Sequence, residues 1–522
     1  MPDALSNVST RKTPQSKPAD PRQVENSAGG FTFTLDPMAR LRRFLMLGVD
    51  GGTYYTSAPE LAEENANVVL ELAASDPKGA VDVIVEISQA GRAPRQNPTI
   101  FALAVIAAKA DEDGRAYALA ALPKVARTGT HLFLFAGYVE NFRGWGRGLR
   151  RAIADWYLQK DVNDLAYQMV KYRQREGWSH RDLLRLAHPK TQEAKRRGLF
   201  DWACGRSHAG APELVYAWEK AQKAKPDGAL DLIAKTPLSW EMLPDELLSE
   251  PSVWRALINK GIPQTALIRQ LPRLTRLGLF KDAATRQLVV GQIQDPERLK
   301  AGRVHPISLL VAAKTYATGQ GRGQTEWTPE RRIVDALDAA FYAAFQAVEP
   351  TGKRLLLALD VSGSMDWDSI GGFPLTPREA SAAIALVTAA TEPSSDIVGF
   401  SHELVPLTIS PRQRLDDVCN VLRSTPVGGT DCAQPMLYAI EEGLEIDTFV
   451  VYTDNETWAG GIHPHQALRQ YREKTGIPAK LVVVGMTSHG FTIADPNDSG
   501  MLDIVGFDSA CPALISDFAR DA

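Results

Sequence analysis

Asp360, Ser362 and Ser364 alternate in Asp360-Val-Ser-Gly-Ser364, directly after the apolar run Leu355-Leu-Leu-Ala-Leu359. A carboxylate and two hydroxyls leaving the carboxyl end of a strand are hard oxygen donors in one loop. Two further segments supply more: Gly428-Gly-Thr430-Asp431 precedes a helix, and Asp454 follows the apolar run that ends in Val451-Tyr-Thr453. Mg²⁺ prefers six oxygens at about 2.0–2.1 Å and keeps several waters, so hydroxyls plus one or two carboxylates are a fitting partial shell for Mg²⁺ or Mn²⁺. The metal ligands read from the sequence are therefore Asp360, Ser362, Ser364, Thr430 and Asp454. Asp366 and Asp368 read as solvated loop acids. No nucleophile with a general base stands out nearby, and one site holds too few carboxylates for paired-metal phosphoryl transfer, so the chemistry expected is binding and no catalytic residue is assigned.

A second set of residues is cationic. Residues 141–200 carry 14 Lys and Arg against 6 Asp and Glu, enough to account for the whole positive excess of the first 350 residues. On the helix expected from Ser179, Arg181, Arg185 and His188 fall within about 60° of one another, opposite Leu183, Leu184, Leu186 and Ala187. Gln168, Lys171 and Arg175 read as a similar stripe on the preceding helix, beside Tyr167, with Arg173 misplaced among the apolar positions. Arg143, Arg147 and Arg150 repeat the spacing, although Gly144, Gly146 and Gly148 weaken that helix. Aligned stripes of this kind suit phosphate oxygens, with Gln, Tyr and His adding hydrogen bonds or stacking, and single-stranded or structured RNA fits them better than duplex DNA.

These residues need elements to hold them. A chain of 522 residues with 44% hydrophobic and 23% charged content is too long for one core and too ordinary in composition for wholesale disorder. Residues 1–29, polar and proline-rich, read as a disordered lead. From 30 to 350, apolar residues recur at spacings of three and four, separated by short breaks. This predicts an α-helical solenoid of the HEAT kind. Ser57-Ala-Pro-Glu60 and Ser179-His-Arg-Asp182 mark helix starts. From 351 to 522, short apolar runs alternate with helical stretches, and Thr376, Pro377 and Glu379 open a capped helix; this predicts a doubly wound α/β domain. After position 350 there are 11 Lys and Arg against 23 Asp and Glu, and before it 47 against 39, so a polyanion suits the first part and a divalent cation the second.

Cys204, Cys419, Cys432 and Cys511 form no close pair and read as free thiols. No apolar signal core or membrane-length run occurs, which predicts a cytoplasmic protein without a membrane role. His463-Pro-His465 lacks a third ligand and reads as a surface loop, and Gly48-Val-Asp-Gly-Gly52 as a helix-ending turn.

The Asp360, Ser362, Ser364, Thr430 and Asp454 set resembles the metal-ion-dependent adhesion site of von Willebrand factor A domains, which implies a ligand oxygen, often a carboxylate, at the open position of the metal. The whole chain from about 30 onward resembles the Ro autoantigen ribonucleoprotein family, a TROVE module followed by an A domain. The resemblance rests on Arg42-Arg-Phe-Leu-Met-Leu-Gly-Val-Asp-Gly-Gly-Thr-Tyr-Tyr55, Trp145-Gly-Arg147, Ala154-Asp-Trp-Tyr157 and the run Val170 to His188. It implies a monomeric ring of helical repeats closed by the A domain, Y-like noncoding RNA on the outer face, and single-stranded 3′ ends of misfolded or precursor RNA in a basic hole. Lys171, Arg175 and His188 match family positions associated with Y RNA. It further implies a polynucleotide phosphorylase partner. The expected function is noncatalytic RNA binding in RNA quality control or processing. The alternative from another class is a metal-dependent protein-interaction adaptor working through the A domain, and a metal-dependent nuclease ranks third.

Overall fold

The computed structural model describes residues 12–48, 58–93, 95–302, 304–321, 325–344, 350–366, 375–410, 412–424, 428–505 and 510–520. Ser57 and Asp368, and all of the Gly48–Gly52 turn beyond Gly48, lie outside them. Gly48 itself ends the helix Pro37–Leu47 at φ 70, its N–H donating to the Phe44 carbonyl.

Among the described residues from Pro37 to Ala343, helix follows helix, interrupted by the small hairpin Gln174–Arg175 with Trp178–Ser179, as the three-and-four spacing of the helical segments dictates. In Arg147–Gln159, for example, Leu149, Ala152, Ile153 and Trp156 are buried while Arg147, Arg150 and Arg151 stay outside. The Trp156 indole nitrogen donates to the Ala126 carbonyl, which satisfies its one polar atom inside the core. The expected Arg143, Arg147 and Arg150 stripe is not one helix. Gly144, at φ 79, breaks the chain after the helix Gly129–Phe142, so Arg143 belongs to a turn and the other two to the next helix.

After 350 the fold changes to a six-stranded sheet in the order Met501–Val505, Lys480–Gly485, Thr448–Thr453, Leu355–Asp360, Ser395–Phe400 and Leu404–Pro406. The first five strands run parallel and the last is an antiparallel edge. All six residues of Leu355–Asp360 are buried, as a strand covered on both faces requires. Leu355, Leu357 and Leu359 join the core shared with the helical array, whereas Leu356 and Ala358 join a separate core on the other face. Chain order reverses at Leu355–Asp360, and ligands bind outside the carboxyl ends of strands at such a switch point. Asp360 ends that strand; Asp454 follows its neighbour Thr448–Thr453.

The disordered lead is corrected for residues 12–29. Gln23–Glu25 pairs with Phe31–Thr34, which pairs in turn with Phe491–Thr492 of the A domain. Polar side chains order this strap by hydrogen bonding to residues more than 400 positions away, a partner that local composition does not display. His463 and His465 are likewise buried, correcting the surface-loop reading. The His463 Nε2 atom lies 2.8 Å from the Lys17 carbonyl oxygen and Nδ1 lies 3.1 Å from the Gln23 amide nitrogen, while the His465 ring meets Phe33 edge-on at 5.3 Å.

Both ends of the helical array touch the A domain. At the beginning, the fully buried Arg43 pairs with Asp503 and donates to the carbonyls of His489 and Phe491. Room for this guanidinium exists because position 485 is glycine; a Cβ there would lie 2.7 Å from the Arg43 guanidinium carbon. At the far end, Lys314 pairs with Glu379 at 2.6 Å, and Arg414 with Asp335 at 3.5 Å. His305 also reaches back, its Nε2 atom 3.2 Å from the Arg92 carbonyl oxygen. Removing one member of a buried ion pair leaves the other unpaired, at a cost of about 3–5 kcal/mol. Arg43→Ala is therefore expected to lower stability in urea unfolding by about that amount, and Asp503→Ala added to it should cost less than the two single changes together.

Candidate metal centre and nucleic-acid interface

Four of the five expected metal residues are tied to one another. The Asp360 carboxylate accepts from the Ser362 backbone N–H at 2.9 Å and from the Thr453 hydroxyl at 2.6 Å. The Ser362 and Ser364 hydroxyls are 3.1 Å apart. Burial raises the Asp360 pKa against the opposing pull of these hydrogen bonds. Asp454 is pushed up to about 7, first by burial and then by the Asp360 charge, while a hydrogen bond from Ser364 works the other way. The fifth residue, Thr430, is also buried, on the adjoining loop, its carbonyl accepting from the Trp458 and Ala459 N–H groups. Two buried carboxylates, both raised by burial and one of them also by the charge of the other, set among hydroxyls, fit a hard divalent cation, whose charge offsets the cost of ionising them together. Among the described residues no cluster of three or more His, Cys, Asp or Glu is placed to hold a metal, so the hydroxyls carry much of this donor set.

Neighbouring acids are already engaged. Asp431 accepts from the side-chain amides of Gln15 and Gln434 and from the Ala433 N–H. Asp366, expected to be a solvated loop acid, pairs at 3.0 Å with Arg378. Arg378 is buried and donates to the carbonyls of Val361 and Ser362, fixing the loop that carries the two serines. The strap fixes the other two loops. The Gln15 amide accepts from the Thr457 hydroxyl at 2.5 Å and donates to the Ile462 carbonyl, and Asn26 donates to the Thr457 carbonyl. The Ala28 N–H donates to Glu456. Sequence reading missed Arg378, Gln15 and Asn26, none of which belongs to a motif.

The cationic residues separate into two groups. Arg181 and Arg185 lie exposed on the helix His180–Ala187, which Ser179 and Asp182 cap reciprocally as expected. His188 is exposed at the end of that helix, at φ 49. Arg175 does not extend the preceding helix, which stops at Lys171. It sits in the hairpin Gln174–Arg175 with Trp178–Ser179, turned by Glu176 and Gly177 at φ 53 and 76. Arg175 is exposed there beside the Arg181 helix, whereas Gln168 is half-buried and its amide oxygen accepts from the Gly129 N–H. Lys171 is enclosed: its side chain is 10% exposed, 3.3 Å from Glu241, with Tyr167 and Tyr172 rings beneath the ammonium. Burial works against this charge, but Tyr167, Glu241 and Tyr172 outweigh it and raise the Lys171 pKa. Arg147 is exposed on its own helix.

A cavity of about 840 Å³ lies between the segments 91–131 and 265–316. Arg95, Arg127, Arg269, His131, His305 and Tyr316 line it, and among the described residues no Asp or Glu does. Burial, together with Arg127, lowers the His131 pKa to about 4, so that ring is neutral near pH 7. The sequence gives no sign of this site, because its three arginines come from segments far apart in the chain.

Comparison with known proteins places the whole chain. A TROVE domain family matches residues 24–231 and 232–318, and a Ro60 vWA domain family matches residues 354–519. A Deinococcus radiodurans protein named RNA-binding protein RO60 is 43% identical over 530 residues, spanning 100% of this chain and 99% of its own. A Caenorhabditis elegans protein of the same name is 36% identical over 579 residues, spanning 95% and 90%. The crystal structure of the Deinococcus radiodurans Ro (RSR) protein superposes with a TM-score of 0.71 and 43% identity, covering 93% of this chain and 100% of that one.

Two outcomes test the metal centre. Asp454, raised to about 7, keeps its proton in the metal-free folded chain at pH values where the unfolded chain has already lost it, so its contribution to stability without metal falls as pH rises from about 4 to about 7, and the raised Asp360 pKa acts in the same direction. A cation needs the ionised carboxylates, and its stabilisation grows over the same window. The Mg²⁺-induced rise in melting temperature is therefore expected to be larger at pH 8 than at pH 5.5, and an equal rise would count against these ligands. Separately, Gln15→Ala should weaken Mn²⁺ binding measured by titration calorimetry several-fold, because it frees both the Asp431 and Thr457 loops.

Proposed function

The chain belongs to the Ro60 family of TROVE-domain proteins, and from that membership we propose that it is a noncatalytic RNA-binding protein of a ribonucleoprotein. The carrying observation is the exposed cationic unit Arg175, Arg181, Arg185 and His188 on one hairpin and helix. Guanidinium groups stay charged at neutral pH and bind phosphate oxygens bidentately, which suits them to hold an RNA backbone. A small structured Y-like RNA fits this outer face.

The arginine-lined cavity fits a different form of the same polymer. Its 840 Å³ and its three arginines suit the phosphates of a single-stranded segment. In this reading the A domain, held to both ends of the helical array, closes a monomeric ring around the cavity. Misfolded or precursor RNA is held by its 3′ end, and a separate exoribonuclease such as polynucleotide phosphorylase does the processing. Asp360, Ser362, Ser364, Thr430 and Asp454 would hold one Mg²⁺ or Mn²⁺, which supplies an open coordination position for a carboxylate oxygen.

A second reading, a metal-dependent protein adaptor, draws on Trp458. This residue is 43% exposed, and its ring lies so close to Gly429, on the Thr430 loop, that a Cβ there would be 2.8 Å away. An exposed aromatic beside a cation site suits a protein ligand.

The distinguishing measurement is equilibrium binding to an RNA hairpin with and without a single-stranded 3′ tail, across a salt series. Arg181→Ala with Arg185→Ala is expected to weaken both RNAs and to lower the steepness of the logarithmic salt dependence by about 1–2. Arg269→Ala should weaken only the tailed RNA. RNA affinity untouched by all three changes in a folded protein would overturn the assignment. A protein ligand lost with Asp360→Ala, and no RNA bound by the unaltered chain, would establish the adaptor instead.

A further inference from the structure

Arg173 fits no stripe on the helix where periodicity puts it, and its observed partners are rings. Its guanidinium carbon lies 4.5 Å from the centroid of Trp218 and 5.5 Å from that of Trp202. The two indoles meet edge-to-face, 5.7 Å apart at 77°. Trp202 comes from the last turn of the helix Ala194–Ala203 and Trp218 from Glu213–Ala221. Three elements thus bring one cation and two large π-systems together, and both indoles remain half-buried.

Beside this stack is a hollow of about 510 Å³, lined by Arg173, Gln174, His180, Arg181, Trp202 and Gly205 among others. Its volume lies within the usual range of small-molecule sites, about 300–1,000 Å³. A Cβ on Gly205, at φ 73, would meet nothing within 4 Å, so the rim is open there. The wall on the other side is Arg181, which belongs to the exposed cationic helix. His180 at the wall is held by the Tyr157 hydroxyl, 2.7 Å from Nδ1, and its ring is packed against Phe133. The hollow therefore has a fixed back and sides, with positive charge at the mouth.

We propose that this hollow is a stacking pocket for one unpaired nucleobase of RNA bound on the outer face. Trp202 and the flat Arg173 guanidinium supply the π and cation surfaces, and Arg181 takes the adjoining phosphate. The inference rests on the RNA-binding reading above and adds to it a preference for RNA that carries an unpaired base over fully paired RNA. Every base has a π-face, so the pocket selects pairing state more than sequence.

The test uses the full chain and two RNA hairpins that differ only in a three-nucleotide bulge. Trp202→Leu keeps an apolar side chain at the wall without the π-face, and it is expected to weaken the bulged hairpin about tenfold while leaving the paired hairpin and the salt dependence unchanged. Trp202→Phe should retain most of the affinity. In the unaltered protein, 5-iodouridine in the bulge should photocrosslink to the peptide containing Trp202, a readout that stands even where the leucine variant does not fold. Equal affinity of the leucine variant for the bulged hairpin, equal losses on both hairpins, or a crosslink confined to other peptides would overturn the pocket. Absence of binding by the unaltered chain to either hairpin would overturn the RNA-binding reading itself, and the pocket with it.

Discussion

A fully buried arginine must find its partners inside the protein, and Arg43 finds all of them across a domain boundary. Its helix is the first of the array, and its partners lie on the last strand of the A domain and on the segment leading to it. The sequence separation is about as large as the chain allows, so the pairing fixes the beginning of the helical region against the end of the protein. Lys314 and Arg414 do the same for the other end of the array. With one end held at a strand of the A domain and the other at its helices, side chains from segments 91–131 and 265–316 come to face one cavity.

The opposite charges of the two parts now have a structural meaning. The A domain concentrates its acids, but those near the metal loops are almost all committed: Asp431 to amides, Asp366 to Arg378, and Glu379 to Lys314 and Arg423. Asp360 and Asp454 stand apart because their hydrogen-bond partners are hydroxyls and backbone N–H groups, with no cation among the described residues paired to either. Burial and mutual repulsion raise the cost of ionising both, and that cost is what a bound cation would relieve. In the helical part the reverse holds. Lys171 is committed to Glu241, while Arg175, Arg181, Arg185 and His188 stay at the surface.

What could be read from the sequence was what is local. The Ser179 and Thr376 capping boxes, the buried strand before Asp360 and the order of the oxygen donors each depend on residues within a turn or a loop, and the structure has them where the spacing put them. The Arg175 error had only a weak local remedy: Gly177 marks a break in the helical spacing, but a hairpin whose two-residue turn puts Glu176 at positive φ is not one of the pairs that announce themselves in sequence. Gln15, Gln23 and Asn26 offered no such remedy. Their composition is that of a disordered tail, and only loops more than 400 residues away turn them into an ordered strap. The cavity arginines are equally illegible, since each is an ordinary charged residue until the array brings it beside the others.

The metal loops and the cavity are joined by continuous packing. Arg378 grips the carbonyls of Val361 and Ser362, and the next residue on its helix, Glu379, pairs with Lys314. Lys314 belongs to the helix Pro306–Ala317, whose Ser308, Val311, Ala312 and Thr315 line the cavity. A side chain that touches the serine loop is thus one residue removed from a side chain that locates the cavity wall. Such a chain of contacts makes the two sites accurate relative to each other. Signalling between them would need a second arrangement of the same elements, and contiguity alone does not supply one. What the fold supplies is precise placement: the A domain acts on the cavity first as the brace that sets its shape, whatever the loops of Asp360, Thr430 and Asp454 hold.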